Sequence, residues 1–264
     1  MCTSVCPTGY HNDSITGACV VNGGSGTINV IKNPNNPYDY IGSEHNSGVS
    51  YVLNELGGPS TNNSLILNAD ISYMQTLGYT SAEVDTAYNQ GVRLGYFPFT
   101  NVPELDSAGN RMYSQGKISA TANNYVQQIY TLAVNNLNQN VDSVPYSTIS
   151  SSYTTFSNGL ISLESSIENN ANLTSTEKIG LLSSCSIGRY SASYWANYII
   201  NEGSGGGSGS SVYLVAKPKH GFWYWFRAVV CDVCGGIVGS LTPAPVLGTI
   251  AGAIGGSAAV LDVN

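Results

Sequence analysis

The chain has 264 residues, of which 42% are hydrophobic and only 9% are charged. This apolar content is enough to bury the core of one large or two modest domains. The formal net charge of −7 leaves no basic surface for phosphate contacts, which argues against nucleic-acid binding. Ser, Thr, Asn, Gly and Tyr fill the positions that Lys and Glu usually occupy, which is typical of extracellular proteins.

The first predicted unit is a cysteine-rich leader over residues 1–27. Its cysteines follow the pattern C-x3-C-P-T-G-Y-x8-C, which is typical of an oxidising compartment and makes Cys2, Cys6 and Cys19 disulfide candidates. An odd count leaves one cysteine to stay reduced, to pair at long range or to carry a lipid. The order Met1-Cys2 also fits a lipoprotein acylated on Cys2, so we expect a secreted or surface location with lipid anchoring as one alternative.

A helical body is predicted over residues 28–202, and it opens with the most distinctive segment of the chain, K-N-P-N-N-P-Y-D-Y-I-G-S-E-H-N. Its two Asn-Pro steps predict extended or turn geometry, and a helix is predicted from about Ser43. The candidate binding residues of this segment are Tyr38, Asp39, His45 and Asn46. They could bind a ligand or support acid–base chemistry through His45. The preferred interpretation is structural, with Asp39 and His45 bonded to backbone groups of a capped turn, so no catalytic residue, metal site or cofactor is assigned.

The body then continues as helices. Two are predicted over residues 64–99, the second opened by a capping box of Thr80 with Glu83, and residues 100–120 are predicted as a loop. Another capping box, Thr174 with Glu177, opens the last helix of the body. Three stretches between residues 120 and 200 repeat apolar side chains every three or four positions: Ala122, Val126, Ile129, Ala133, Leu137; Ile149, Tyr153, Phe156, Leu160, Leu163, Ile167; and Leu181, Cys185, Gly188, Ala192, Trp195, Ile199. Such stripes predict an antiparallel helical bundle.

A Gly/Ser linker over residues 203–211 separates the body from a tail over residues 212–264. The tail predicts a helical hairpin that turns at T-P-A-P, because proline stops one helix and is tolerated in the first turn of the next. The small residues Gly248, Gly252 and Gly256 form one helical column that would let a second backbone approach closely. Aromatic residues including Trp223 and Trp225 follow two lysines, an order typical of membrane interfaces.

The tail also contains Cys231 and Cys234 in an isolated C-x2-C pair. No second pair or histidine stands nearby at metal-binding spacing, and no βαβ unit surrounds the pair. A structural thiol pair or a disulfide is therefore favoured over a redox dithiol or a metal site.

The segment N-P-Y-D-Y-I-G-S-E-H-N resembles the pattern N-P-Y-[DE]-x-[IV]-G-x-x-H-N of a group of uncharacterised bacterial cell-envelope proteins, secreted or lipid-anchored, many of which end in a Gly/Ala-rich zipper. The matching residues are Asn36, Pro37, Tyr38, Asp39, Ile41, Gly42, His45 and Asn46. The chain departs from the group at Cys231 and Cys234, where small residues are common. Because no activity is established for the group, the resemblance implies a location and an architecture but no reaction.

Permanent insertion of the tail in a membrane is disfavoured by its length and charge. The second arm of the hairpin, 16 residues long, would reach only about 24 Å, against roughly 30 Å of bilayer hydrocarbon. The first arm places Asp232 near its middle, where a charge is costly in lipid. We therefore expect a folded hairpin that engages a protein partner, a second copy of the chain or a membrane surface.

The sequence as a whole predicts a mainly α protein: an antiparallel helical bundle with a small cysteine-rich N-terminal leader and a C-terminal glycine-rich helical hairpin. Motifs such as G-x-S-x-G, H-E-x-x-H and phosphate-binding loops are absent from the sequence. The predicted function is that of a secreted or surface-anchored structural or interaction protein of the bacterial envelope, without catalysis. The alternative is a membrane-active bacteriocin-like or toxin-like protein that acts through its glycine-zipper hairpin.

Overall fold

The computed structural model describes residues 10–12, 19–21, 27–57, 62–93, 109–137, 146–203, 222–240 and 245–260. The fold is mainly α. The described part of the leader contains two short strands, β1 (Tyr10–Asn12) and β2 (Cys19–Val21), which pair antiparallel with Tyr10 opposite Val21. Cys2 and Cys6 lie outside the described residues, and so do the side-chain surroundings of Cys19.

The helices follow in chain order. They are α1 (Tyr40–Leu56), α2 (Asn63–Thr76), α3 (Ser81–Arg93), α4 (residues 109–114), α5 (Ala120–Leu137), α6 (Tyr146–Glu168), α7 (Ser175–Gly203), α8 (Phe222–Gly239) and α9 (Pro245–Val260). Gly203 ends α7, and the rest of the predicted 203–211 linker lies outside the described residues.

Local sequence signals account for several helix ends. Both predicted capping boxes are confirmed: the Glu83 carboxylate accepts the Thr80 N–H at 2.8 Å, and the Glu177 carboxylate accepts the Thr174 N–H at 2.9 Å. Gly57 caps the C-terminus of α1 and adopts a left-handed φ of 69° that favours glycine.

Two local predictions are wrong. α1 begins at Tyr40 instead of near Ser43, and its first turn is not capped by the Asp39 side chain, because that carboxylate turns away to bind α7. Residues 109–114, predicted as loop, form α4. There Met112 is buried at 1% exposure, so tertiary packing decides the local structure.

The most apolar helices lie at the centre of the protein. α8 packs against α3, α5, α7 and α9, while α9 packs against α1, α2, α3 and α7 as well as α8. All residues from 228 to 240 and from 247 to 256 are buried. The sequence predicts a tail that a linker separates from the body. In the structure the helices of the body surround α8 and α9.

The three predicted stripes account for most of the remaining core. Ile129, Phe156, Leu160 and Trp195 are each no more than 1% exposed, and α6 packs on both α5 and α7. This arrangement is compatible with the predicted helical bundle. Within the part of the chain that the structure describes, no helix combines the length and apolarity needed to cross a bilayer.

Candidate functional site

Two buried polar clusters meet on α7, and the segment over residues 33–46, here called the motif segment, contributes to both. The Arg189 cluster consists of Arg189, Asp39, Glu164, Asn33 and Asn36. The Asp232 cluster consists of Asp232, Ser191, Trp195 and His45. Their polar side chains are almost entirely inaccessible, with Asp39 the most exposed at 15%.

In the Arg189 cluster one guanidinium binds two carboxylates. Nη2 of Arg189 donates to Asp39 Oδ1 at 2.5 Å and to Glu164 Oε1 at 2.8 Å, and Nη1 donates to the Ile31 carbonyl at 2.6 Å. Burial alone would lower the pKa of Arg189, but the attraction of Glu164 and Asp39 outweighs burial and raises it. The guanidinium therefore stays charged and acts as the cationic centre of the cluster.

A single cation does not balance two buried carboxylates, and amide donors supply the remaining bonds. Asn33 Nδ2 donates to Glu164 Oε2 at 2.7 Å, and Asn36 Nδ2 donates to Glu164 Oε1 at 2.8 Å. The Tyr190 hydroxyl donates to Asp39 Oδ2 at 3.1 Å, and burial together with Asp39 raises the pKa of Tyr190 to about 12. These bonds satisfy the carboxylate oxygens, as the burial of charged groups requires.

The motif segment also lies close against the backbone of α7. Asn36 Nδ2 donates to the Leu182 carbonyl at 2.9 Å, and Asn46 Nδ2 donates to the Tyr190 carbonyl at 2.9 Å. Between them the Gly42 N–H donates to Ser186 Oγ at 3.2 Å. A Cβ on Gly42 would overlap the Tyr190 ring, so this position requires glycine for close approach.

The Asp232 cluster joins three helices around the one carboxylate in the described interior of α8. Asp232 Oδ2 accepts the Ser191 hydroxyl and the Trp195 indole N–H, the latter at 3.2 Å, from α7. His45 of α1 places Nε2 3.5 Å from the same oxygen. His45 Nδ1 pairs with Asn46 Oδ1 at 3.1 Å. The carboxylate lies between serine and histidine, so these residues do not form a catalytic triad, in which histidine is the middle member.

The structure brings two of the four candidate binding residues, Asp39 and His45, into these clusters, and Asn46 lies beside them, bonded to His45 and to the Tyr190 carbonyl. His45 Nε2 is buried 3.5 Å from Asp232 and makes no hydrogen bond to a described residue. Tyr38 is half-buried and packs at the edge of the core. Asp39 and His45 bond mainly to other side chains, so the predicted bonds to backbone groups of a capped turn are wrong for them, apart from the Asn33 N–H that reaches Asp39 at 3.3 Å. Tertiary contacts to α7 and α8 replaced those local bonds.

The glycine column of α9 lies against α8. A Cβ on Gly252 would collide with the backbone oxygen of Gly235, and a Cβ on Gly256 would lie 2.7 Å from the Cys231 oxygen. The Gly248 backbone in turn contacts Gly239. The two backbones therefore touch at these glycines. Trp223 and Trp225 lie in the first turn of α8, and their side-chain surroundings fall outside the described residues.

The cysteines of α8 are buried thiols, and they form no disulfide among the cysteines whose side chains are described. Cys231 and Cys234 are both buried: the backbone oxygen of Cys231 faces Gly256 of α9, and Cys234 lines an apolar cleft with side chains of α5. The disulfide alternative is therefore wrong for this pair, and the thiol alternative stands. Burial raises the pKa of the Cys231 thiol well above its ordinary range, which disfavours thiolate chemistry.

Sequence reasoning missed the partners of the motif segment. Glu164 lies four residues after Leu160 and three before Ile167, so it belongs to the apolar stripe of α6. Arg189 likewise lies four residues after Cys185 on α7. A charged residue on each of two neighbouring apolar stripes was the available signal, because buried charges are normally paired.

The described residues contain no group of three or more His, Cys, Asp or Glu side chains placed to hold a metal ion. An apolar cleft between α5 and α8, lined by Val126, Ile129, Val230 and Val233 among others, encloses about 10 Å³, room for about one water molecule. Scans of protein-family models, curated proteins and solved structures each found no match to this chain. Function is therefore inferred from the residues and their geometry.

Proposed function

We propose that the protein is a secreted or surface-anchored interaction protein of the bacterial envelope that acts without catalysis, and that its motif segment is a structural element. The proposal rests on one observation: the polar side chains of the motif segment that could do chemistry are turned into the protein, against other side chains and the backbone of α7. Asp39 binds Arg189, His45 lies beside Asp232, and Asn46 binds the backbone of α7. The resemblance to envelope proteins supplies the proposed location.

Tyr190, Tyr194 and Tyr198 stand four residues apart in one column of α7, and their packing supports the same interpretation. Tyr190 is 6% exposed and bonds to Asp39, while Tyr194 packs edge-on against Trp195 at 5.0 Å and accepts a bond from Ser50. These contacts favour a packing role for the rings over a stacking platform for a sugar.

The outer surface provides the proposed contact points. Among the residues whose side chains are described, four large apolar ones are well exposed: Tyr40, Leu65, Leu77 and Tyr113, at 39% to 51%. The α8–α9 pair, in which partner binding was expected, is surrounded by the other helices. We therefore place protein contacts on the exterior of α1, α2 and α4.

Site-specific photo-crosslinking in producing cells tests this proposal. A photoreactive residue at Tyr40, Leu65 or Tyr113 should give a discrete covalent adduct in the envelope or secreted fraction. The same residue at Lys117, a polar exposed position, is the matched control and should give none. Adducts absent from all positions, or identical at all of them, would contradict the interaction proposal.

A second candidate is a membrane-active protein in which α8 and α9 act as a glycine-zipper hairpin. The supporting observation is that the two helices contact each other through backbone atoms at Gly235, Gly239 and Gly252. Such contacts do not depend on the hydrophobic effect, so the pair could stay associated after transfer from the protein interior to lipid.

A reversible lock tests this second candidate. Gly48 of α1 faces Ile254 of α9, so cysteines at both positions could tie α9 to α1. If the hairpin acts on membranes, the purified double variant should release dye from lipid vesicles when reduced and lose that activity when oxidised. Wild-type chain treated in the same two ways controls for the native cysteines. A wild-type chain that releases no dye from either zwitterionic or anionic vesicles would contradict the candidate.

A further inference from the structure

Asp70 is a buried carboxylate that the two polar clusters do not include. It lies on α2 at 1% exposure, and both of its oxygens have no hydrogen-bond partner among the described residues. Asp39, Glu164 and Asp232 by contrast each accept bonds from two or more donors. An ionised carboxylate without such donors strongly destabilises the folded state.

Asp70 lies on the face of α2 that packs against the rest of the protein, so the cost of ionising it falls on the attachment of α2. The neighbours on the same face are Ile66, Tyr73 and Met74, all buried, and α2 packs against α1, α3 and α9. Tyr73 lies between α1 and α9, since a Cβ on Gly48 would meet both the Tyr73 ring and Ile254. Asp70 therefore lies in the middle of the apolar face that attaches α2 to the core.

We propose that Asp70 makes the docking of α2 pH-sensitive: α2 stays docked while the carboxyl group carries its proton, and it loosens when that group ionises. This inference concerns the attachment of α2 and does not depend on either proposed function. Because α2 covers part of α9, loosening would also uncover one side of the α8–α9 pair.

No ion pair with a described side chain offsets the ionised form of Asp70, and the side chain of Arg93 on α3 lies outside the described residues. The titratable residues on the elements packed against α2 are Tyr40, Glu44, His45, Tyr51 and Glu55 on α1 and Glu83, Asp85, Tyr88 and Arg93 on α3, with none on α9. Glu44 bonds to the Tyr73 hydroxyl at 3.1 Å, and His45 pairs with Asp232. No ion pair joins Asp70 to a described cation, and Glu44 adds a second negative group to the same side of α2.

The direction of the pH dependence follows from burial. Desolvation raises the pKa of Asp70 well above its ordinary value of 3.8. The stabilisation from the neutral carboxyl group is therefore fully present below pH 3.8, and it is lost as pH rises from there through the raised pKa. Docking of α2 is strongest in acid and weakens towards higher pH.

Hydrogen exchange, corrected for the intrinsic pH dependence of amide exchange, tests the proposal across pH 4 to 8. In the wild-type chain the opening of residues 63–76 should increase by about tenfold or more, because one pKa unit corresponds to a factor of ten in the equilibrium constant. Asp70→Asn should remove most of this increase. The control Asp85→Asn removes an exposed carboxylate from α3 and should retain the increase.

Two outcomes would overturn the proposal. One is an equal pH response in wild type and Asp70→Asn; the other is an equal response of residues 63–76 and of α6, which would show global loss of stability instead of local opening. If Asp70→Asn does not fold, a carboxyl-carbon NMR titration of the wild-type chain decides the question. A midpoint well above 3.8 is expected, and a midpoint near 3.8 would overturn the proposal.

Discussion

The motif segment and the α8–α9 pair are both buried against α7, but they are held by opposite means. Polar side chains bind the motif segment to its neighbours, through Arg189 above all. In the α8–α9 pair the absence of side chains brings two backbones together, as at Gly235 and Gly252. The motif segment should therefore be sensitive to the loss of a donor or a charge, whereas the α8–α9 pair should be sensitive to added volume.

The largest effect is expected at Arg189. Arg189→Met keeps most of the side-chain volume but leaves Asp39 and Glu164 buried without their cation. Removing one partner from a buried ion pair typically destabilises a protein by about 3–5 kcal/mol. Chemical denaturation should show a loss of this size in the free energy of unfolding.

Lys117→Met is the matched control, because Lys117 is an exposed cation on the surface. Its effect should stay within about 0.5 kcal/mol, as for most surface substitutions. Equal losses in the two variants would mean that the Arg189 cluster does not hold the motif segment in place.

A smaller effect is expected in the Asp232 cluster. Ser191→Ala removes a hydroxyl that donates to the buried Asp232 carboxylate, and hydrogen bonds to charged groups contribute about 1.5–3 kcal/mol. Ser183 is a matched serine on the same helix whose buried hydroxyl has no partner among the described residues. Ser183→Ala should be neutral or stabilising. Thermal unfolding that gives the same sign of change for both variants would contradict the role of Ser191.

The α8–α9 pair is tested by adding a methyl group. Alanine normally stabilises a helix interior by about 0.5–1 kcal/mol relative to glycine. At Gly252 the new methyl would meet the Gly235 backbone, which cannot move aside without separating the helices, and overpacking costs about 1–3 kcal/mol. We expect Gly252→Ala to lower the free energy of unfolding.

Gly236 offers a control on α8, because a Cβ there would first meet the flexible end of Ile187 at 3.0 Å. Gly236→Ala should therefore be close to neutral or slightly stabilising. If Gly236→Ala and Gly252→Ala change the free energy of unfolding equally, the backbone contact does not explain why position 252 is glycine.

The amount of this structure that could be predicted from sequence depends on whether a signal is local. The apolar stripes and the Thr80 and Thr174 capping boxes depend on residues three or four positions apart, and helices formed where they indicated. The prolines of T-P-A-P and the glycine spacing of the tail likewise predicted two helices, and α8 and α9 form there.

The partners of the motif segment could not be predicted, because they lie far away in the chain. Glu164 follows Asn33 by 131 positions, and Asp232 lies on another helix from Ser191. The periodicity of one helix does not specify which charged residue of another helix will contact the charged residue that this helix carries. Asp70 illustrates the same limit, since a carboxylate on an apolar face normally implies a partner and here the described residues supply none.

The smallest effect is expected for polar bonds at the surface. Comparing them with the buried bonds of the motif segment shows how much burial adds to the strength of such bonds. The Glu177 carboxylate caps α7 and also accepts the Ser119 N–H of the chain entering α5 at 2.7 Å. Its burial would raise the pKa of Glu177, but the bonds from Ser119 and Thr174 outweigh burial and lower the pKa. Glu177→Ala should cost about 0.5–1 kcal/mol at neutral pH, in the range of helix caps. Because the folded-state pKa lies below the ordinary 4.5, this contribution is present above pH 4.5 and is lost as pH falls through the lowered value.

Glu83 forms the same capping box on α3 and bonds to no other segment among the described residues, so it is the natural control for Glu177. Urea denaturation measures the free energy of unfolding at pH 7 and at pH 3. At pH 7 Glu177→Ala should lose more of it than Glu83→Ala. At pH 3 the two variants should differ little. If Glu83→Ala costs as much as Glu177→Ala, the bond from Ser119 adds nothing to the cap. Glu177→Ala could instead lower the free energy of unfolding as much as Arg189→Met. That result would mean that burial does not make the Arg189 cluster strong, and that its geometry has to explain its strength.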